Sequence, residues 1–193
     1  MHERFTVAAP SGAALPTDQV TYGADVPGEG ELRLLGSVQG KRILDLGCGA
    51  GHNAVALARA GARVIAVDES AEQIAAARAT FEREDVRVEL HHAPLAELAF
   101  VRADTIDGCI SAFGLATVVD LDRVFRQVHR VLRPELPLVL SLPHPAWALV
   151  DPADGDLRVR RSYWDPAGIE TSGVPGAAQD RGRTISALFT SLA

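Results

Sequence analysis

The sequence predicts an α/β protein in which a doubly wound, mostly parallel sheet carries helices on both faces. Short apolar runs typical of buried strands alternate with segments of helical periodicity. Parallel strands joined by right-handed crossovers require helices on both sides of such a sheet. The candidate strands are residues 41–47, 62–68, 86–90, 105–113 and 136–142.

Capping signals predict where the helices begin. An alanine-rich helix over residues 52–60 follows the first strand. Ser70, with Gln73 three residues later, forms a capping box that opens a second helix. Asp120 caps a third helix, which carries one apolar stripe and ends before Pro134.

Composition limits the class of protein. The chain has 193 residues, 47% of them hydrophobic and 23% charged, which predicts one globular domain. The formal net charge of −6 and the lack of an arginine stripe argue against nucleic acid as a partner. No apolar stretch is long enough to span a bilayer, and the first residues lack the apolar segment of a signal peptide. The two cysteines, Cys48 and Cys109, are expected to be free thiols in a cytoplasmic protein.

We expect one domain over residues 1–193, divided by composition into four parts. Proline and glycine recur where regular periodicity is lacking, at the N-terminus and after the fifth strand. The parts are an N-terminal arm and helix (1–40), a cofactor-binding core (41–142), a lid or insertion (143–182) and the start of a C-terminal helix (183–193).

The segment 43–51, ILDLGCGAG, places three glycines between the first strand and its helix. Glycines at such a turn let backbone N–H groups approach a ligand beside the positive end of a helix. Asp68 ends the second strand, where a carboxylate can accept hydrogen bonds from two ribose hydroxyls. The dinucleotide fingerprint needs glycine or alanine where His52 stands. A nicotinamide-dependent oxidoreductase is therefore the less favoured alternative.

At these residues the chain resembles the class I S-adenosylmethionine-dependent methyltransferases. DLGCGAG is similar to the family's first motif, VIAVDES to its ribose-binding second strand, and RVLRP to the lead-in to its fifth strand. The resemblance implies S-adenosylmethionine as the cofactor, with Asp68 on its ribose. The further cofactor-binding residues that it implies are Asp45, Gly47, Cys48, Gly49, Gly51, Glu69, Leu95, Ser111 and Phe113.

Two departures from the family pattern bear on the ligands. Pro94 stands where the family usually has an acidic residue near the adenine amino group, so the resemblance implies that adenine relies on the Leu95 backbone and apolar packing. The N/DPPY signature of enzymes that methylate exocyclic or amide nitrogens is missing at residues 111–113. We therefore expect a small-molecule acceptor rather than adenine or glutamine.

His144 is the candidate catalytic residue, because it follows the fifth strand at the ligand-binding edge. A neutral imidazole there can take a proton from an attacking hydroxyl or amine. The competing interpretation is a turn histidine bonded to the backbone. His91 and His92 would point to opposite faces of their strand, so no metal site is expected. The alternative function is a non-catalytic relative that binds the cofactor or a partner protein.

The final expectation concerns the edge of the sheet. The resemblance implies seven strands ending in an antiparallel hairpin, but only five are predicted, and residues 185–193 are too few to supply two more. The chain is therefore expected to lack the hairpin and to be truncated. An unpaired apolar edge at residues 136–142 would favour a homodimer through that edge.

Overall fold

The computed structural model describes residues 16–23, 26–149, 159, 162–164 and 183–192. The predicted core, residues 41–142, lies wholly within this described part. Most of the predicted insertion, residues 143–182, lies outside it.

The core contains one five-stranded parallel sheet, which confirms the predicted fold class. Its strands are β1 (Arg42–Leu46), β2 (Arg63–Asp68), β3 (Glu89–His92), β4 (Gly108–Ala112) and β5 (Leu138–Ser141). Their order across the sheet is β3-β2-β1-β4-β5, so the direction of winding reverses beside β1. Ligands of such sheets bind at the carboxyl ends of the strands on either side of this reversal. The fold therefore predicts a ligand site at the carboxyl ends of β1, β2 and β4.

Two of the described helices begin directly after the predicted capping residues, Ser70 and Asp120. The described helices are α1 (Glu29–Leu32), α2 (His52–Arg59), α3 (Ala71–Arg83), α4 (Leu121–Val131) and α5 (Ile185–Leu192), with a 3₁₀ turn at Pro145–Leu149. The Gln73 N–H donates to Ser70 Oγ at 3.3 Å at the start of α3, and Asp120 likewise caps α4. The predicted capping box is only half formed, because the Ser70 N–H donates instead to Asp68 Oδ1 at 2.9 Å. Asp68, at the end of β2, therefore takes part in the cap of α3.

Two strands begin later than their apolar runs predict. β3 begins at Glu89, since the Val86 N–H donates to the Phe81 carbonyl and completes the turn after α3. β4 begins at Gly108, since two N–H groups just before it donate to a carbonyl at the end of α4. In both places a helix end takes the backbone groups that a longer strand would have used.

The sheet separates two apolar layers. One layer contains Ile43 and packs α2 and α3 against the sheet. The other contains Leu44 and Leu46 and packs α4 and the segment 95–101 against the opposite face. Consecutive residues of β1 thus enter opposite layers, as the alternation of a strand requires. Helices cover both faces of the sheet, as predicted.

Two further expectations can be compared with the structure. Cys48 and Cys109 are both free, as predicted. Within the described ranges, no helix has the length and apolar character needed to cross a membrane.

Candidate functional site

The glycine turn between β1 and α2 adopts a backbone that side chains disfavour. Gly47, Gly49 and Gly51 have φ of 71°, 53° and 84°, all in the left-handed region. A Cβ on Gly47 would lie 2.4 Å from Gly114 Cα, and one on Gly51 would lie 2.5 Å from a ring carbon of Phe81. A Cβ on Gly49 would meet nothing closer than 3.6 Å. Sterics therefore exclude side chains at the first and third glycines, whereas the second is constrained by its φ alone.

The backbone N–H groups of this turn point largely into the protein, contrary to the expectation that they approach a ligand. The N–H groups of Gly47 and Cys48 both donate to the Val67 carbonyl, at 2.8 and 3.1 Å. The Gly51 N–H donates to the Cys48 carbonyl at 2.9 Å. The Gly49 N–H donates to Asp68 Oδ2 at 2.9 Å. Three of these bonds thus tie the turn to the end of β2, and four of its donors are already used.

Asp45 brings an unsatisfied carboxylate to the end of β1. Its side chain is only 1% exposed, and its Oδ2 has no hydrogen-bond partner. Burial, with the negative charge of Asp68 nearby, raises the pKa of Asp45 to about 7. A buried carboxyl group without a partner is costly in its ionised form, so this site favours a positively charged ligand group.

Asp68 joins the glycine turn to α3. Its two carboxylate oxygens accept the Gly49 N–H and the Ser70 N–H, each at 2.9 Å. The side chain is 8% exposed, and each oxygen has a second lone pair. If Asp68 binds ribose hydroxyls, as predicted, the same carboxylate must also hold the glycine turn in place.

Gly114 is a candidate site residue that the sequence analysis missed. A Cβ on Gly114 would lie 2.5 Å from the Leu46 carbonyl oxygen and 2.6 Å from Gly47 Cα. The backbones after β1 and β4 therefore touch. Phe113, just before it, has a φ of 62° and donates its N–H to the Ser141 carbonyl at 2.8 Å. A glycine directly after a predicted strand was the available sequence signal.

Several predicted cofactor-binding side chains are engaged inside the protein. Ser111 is 1% exposed, and its hydroxyl donates to the Leu46 carbonyl at 2.7 Å. Leu95 is buried in the layer that contains α4. The Cys48 thiol donates to the Gly49 carbonyl, and burial, together with the charge of Asp45, raises its pKa well above the usual range. These side chains support the site, and direct contact with a ligand would fall to their backbones.

The residues after β2 and β3 form the neighbouring part of the edge. Glu69 is exposed, and its carbonyl accepts a hydrogen bond from His92 Nε2 at 3.1 Å. Pro94 is exposed two residues beyond His92. The resemblance implies an acidic residue at this position, and the proline side chain offers no acceptor for the hydrogen bonds of an amino group.

His144 and His52 differ in their surroundings. His144 is exposed, and its Nδ1 accepts the Ala146 N–H at 3.1 Å, so the neutral ring carries its hydrogen on Nε2. His52 is half-buried, and burial, with the positive charge of Arg83, lowers its pKa. The bond of His144 to the backbone matches the competing interpretation of a turn histidine.

A parallel sheet with a glycine turn and two buried carboxylates at its carboxyl edge defines a protein that binds a nucleoside-containing cofactor. Comparisons with known proteins identify the class of protein. A family described as a methyltransferase domain matches residues 43–135. A solved S-adenosylmethionine-dependent methyltransferase from Mesorhizobium loti superposes with a TM-score of 0.69 at 28% identity, covering 83% of this chain and 75% of that one.

Two curated relatives extend the comparison. The ubiquinone biosynthesis O-methyltransferase of Bordetella avium is 36% identical over 101 residues, which are 52% of this chain and 42% of that protein. The N-demethylindolmycin N-methyltransferase of Streptomyces griseus is 36% identical over 107 residues, which are 53% of this chain and 44% of that protein. This chain thus matches less than half the length of either relative. The core of this chain, residues 43–135, is thus a methyltransferase domain similar to S-adenosylmethionine-dependent methyltransferases, and these likenesses support S-adenosylmethionine as the cofactor, as the sequence predicts.

The residues at the turn fit this cofactor. S-adenosylmethionine carries a sulfonium and an ammonium group, and the unpartnered Oδ2 of Asp45 is a buried acceptor suited to a cation. Asp68 adds a second carboxylate to the same edge. The contact between Gly47 and Gly114 keeps side chains away from the turn. A pyrophosphate, by contrast, would meet two carboxylates and a turn whose donors are largely used.

Proposed function

We propose that this chain transfers the methyl group of S-adenosylmethionine to a small-molecule acceptor by in-line attack on the sulfonium methyl. When bound, the cofactor supplies an activated methyl group. The protein's part is to hold the two reactants in line and to exclude water. The observation that carries this proposal is the pair of buried carboxylates, Asp45 and Asp68, beside a glycine turn whose N–H groups are bonded largely to the end of β2.

We propose the cofactor-binding residues from this geometry together with the resemblance to the methyltransferases. The end of β1 and the glycine turn hold the methionine part, because the unpartnered Asp45 oxygen lies there. The end of β2 holds the ribose, and the Leu95 backbone borders the adenine. The proposed residues are Asp45, Gly47, Cys48, Gly49, Gly51 and Gly114 for methionine, Asp68 and Glu69 for ribose, Leu95 for adenine, and Ser111 and Phe113 at the end of β4.

The acceptor is proposed to approach from the ends of β4 and β5. The ribose residue Asp68 ends β2, on one side of β1, so the methyl group is directed towards β4 on the other side. Phe113 and Ser141 stand at that end and are bonded to each other through the backbone. A small molecule is supported by the names of the two curated relatives, one an O-methyltransferase and one an N-methyltransferase.

His144 is proposed as the base for an acceptor that must lose a proton. Its Nδ1 lone pair is occupied by the Ala146 N–H, so His144 must first release that backbone donor to accept a proton. An amine or phenolate acceptor needs no strong base and would make His144 dispensable. Comparing methyl transfer by His144→Ala and wild type on one acceptor separates these cases: a fall in kcat with an unchanged cofactor Kd supports the base.

We further propose a cytoplasmic protein, which the two free cysteines support. The domain boundaries proposed from composition place the cofactor-binding core at residues 41–142.

A homodimer is proposed through β5, which has β4 as its one neighbour among the described strands. Sedimentation of the chain as a dimer would support this contact, and a monomer at all concentrations would exclude it.

Calorimetry and methyl transfer together test the proposed function. The intact chain is titrated with S-adenosylmethionine, S-adenosylhomocysteine and NAD⁺, and is then incubated with methyl-labelled cofactor and a metabolite library. Binding of the first two ligands but not NAD⁺, with label transfer to an acceptor, is the expected result. Binding without transfer to any acceptor would support the non-catalytic alternative. Absence of S-adenosylhomocysteine binding at millimolar concentration would overturn both.

A further inference from the structure

An extended segment from Val20 to Gly23, here called the strap, crosses the carboxyl edge of the sheet. Its first anchor is Asn53, in the first turn of α2. The Thr21 N–H donates to Asn53 Oδ1 at 2.9 Å, and Asn53 Nδ2 donates back to the Thr21 carbonyl at 2.9 Å. One side-chain amide therefore satisfies both backbone groups of Thr21, as a neighbouring strand would.

The second anchor of the strap lies on the opposite side of the glycine turn. The Ser141 hydroxyl, at the end of β5, donates to the Tyr22 carbonyl. A Cβ on Gly23 would lie 2.8 Å from two ring carbons of Phe113, so this ring packs directly on the strap backbone. Phe113 itself precedes Gly114, which touches Gly47 in the turn.

The side chains of the strap hold it down from below. Tyr22 is 2% exposed and donates its hydroxyl to Glu29, and Val20 is buried in the layer that contains α2. Glu29 also accepts three backbone N–H groups from residues 34–36. Tyr22, which lies in the predicted N-terminal arm, is therefore a buried anchor.

These contacts place the strap across the turn, from α2 on one side to β4 and β5 on the other. We propose that the strap closes the methionine end of the cofactor site, and that Asn53 is a positioning residue that holds it shut. The inference rests on the proposed function, because it takes the glycine turn as the cofactor site. Exchange of cofactor for product then requires the two Thr21–Asn53 hydrogen bonds to break.

The kinetics of product exchange test this role. The full chain and its Asn53→Ala variant are compared by stopped-flow mixing with a fluorescent S-adenosylhomocysteine analogue, which gives the association rate constant, and by displacement of that analogue with the unlabelled compound, which gives the dissociation rate constant. Two hydrogen bonds of ordinary net strength correspond to a change in rate constant of roughly tenfold or more. Because a gate affects entry and exit alike, both rate constants should rise by that factor while Kd changes less than threefold. The matched control is Gln127→Ala, which removes an amide from α4 that bonds to Arg130 of the same helix.

Each outcome bears on the proposal. Unchanged rate constants in Asn53→Ala, or a higher dissociation rate with unchanged association, would overturn the strap as a gate. If Asn53→Ala does not fold, Ser141→Ala decides, since it removes only the bond to the Tyr22 carbonyl. A parallel rise of both rate constants supports the gate, and unchanged constants refute it. Failure of the wild type to bind S-adenosylhomocysteine would instead refute the proposed function.

Discussion

Replacing Asp45 with asparagine should change how the stability of the protein depends on pH. The folded state raises the pKa of Asp45 from 3.8 to about 7, so folding holds a proton that the unfolded chain loses at lower pH. The stability that this proton confers is full below pH 4 and is lost as pH rises towards 7. One pKa unit corresponds to about 1.4 kcal/mol, so the loss between pH 5 and 8 amounts to about 3 kcal/mol.

The Asp45→Asn variant cannot ionise and should escape this loss. Any cost of its unsatisfied amide donors is the same at every pH, so the diagnostic quantity is the pH dependence of the difference in stability between the two proteins. Urea unfolding of both proteins at pH 5 and pH 8 should show the variant gaining about 3 kcal/mol relative to wild type across that interval. Parallel stability profiles would refute the claim that Asp45 is costly to ionise.

The ionisation of Asp45 should be coupled to cofactor binding. A cationic ligand favours the ionised carboxylate, so binding S-adenosylmethionine at pH 6 should release up to about one proton from Asp45. Calorimetry in buffers with different ionisation enthalpies measures this release. Asp45→Asn should show none, and proton release by the variant equal to that of wild type would assign it to another group.

Four further substitutions follow from the site. Gly47→Ala should abolish cofactor binding and lower stability, since its Cβ would lie 2.4 Å from Gly114 Cα. Gly49→Ala should lower the free energy of unfolding by only about 1 kcal/mol, because its φ alone is unfavourable. Calorimetry measures binding and urea unfolding measures stability, and equal effects of the two substitutions would contradict the steric argument. Asp68→Ala should lower the free energy of unfolding by about 3 kcal/mol, because two backbone N–H groups lose a charged acceptor. It should also weaken cofactor binding. Weaker binding at unchanged stability would mean that the hydrogen bonds of Asp68 to the backbone are unimportant. Ser111→Ala should lower stability by about 1–2 kcal/mol and leave the cofactor Kd unchanged, since its hydroxyl donates to a main-chain carbonyl of β1. A raised Kd at unchanged stability would instead mean that the hydroxyl binds the ligand.

The sequence predicts the sheet and the glycine turn because both depend on local patterns. The runs that form β1 and β2 are largely apolar and end at Gly47 and Asp68, which fixes the strand ends that carry Asp45 and Asp68. The start of β3 was less predictable, because the Val86 N–H is taken by the end of α3. Boundaries set by competition between two elements are not encoded in the periodicity of either.

The missed features all depend on contacts between distant residues. Gly114 matters because it touches Gly47, which lies in another strand connection. The strap depends on Asn53, which looks from the sequence like an ordinary residue in the first turn of a helix. Ser111 was placed correctly at the end of a strand, but its hydroxyl turned inward to the Leu46 carbonyl. Periodicity and motif spacing give the positions of these residues and leave their partners undetermined.

An NMR titration with S-adenosylhomocysteine tests most directly the claim that the glycine turn is the cofactor site. Amide resonances of Gly47, Gly49, Asp68 and Gly114 should shift on saturation, since the ligand would border the ends of β1, β2 and β4. The amide of Arg63, at the opposite end of β2, should stay in place. Shifts confined to the amino ends of the strands, or absent at the turn under saturating ligand, would contradict the account.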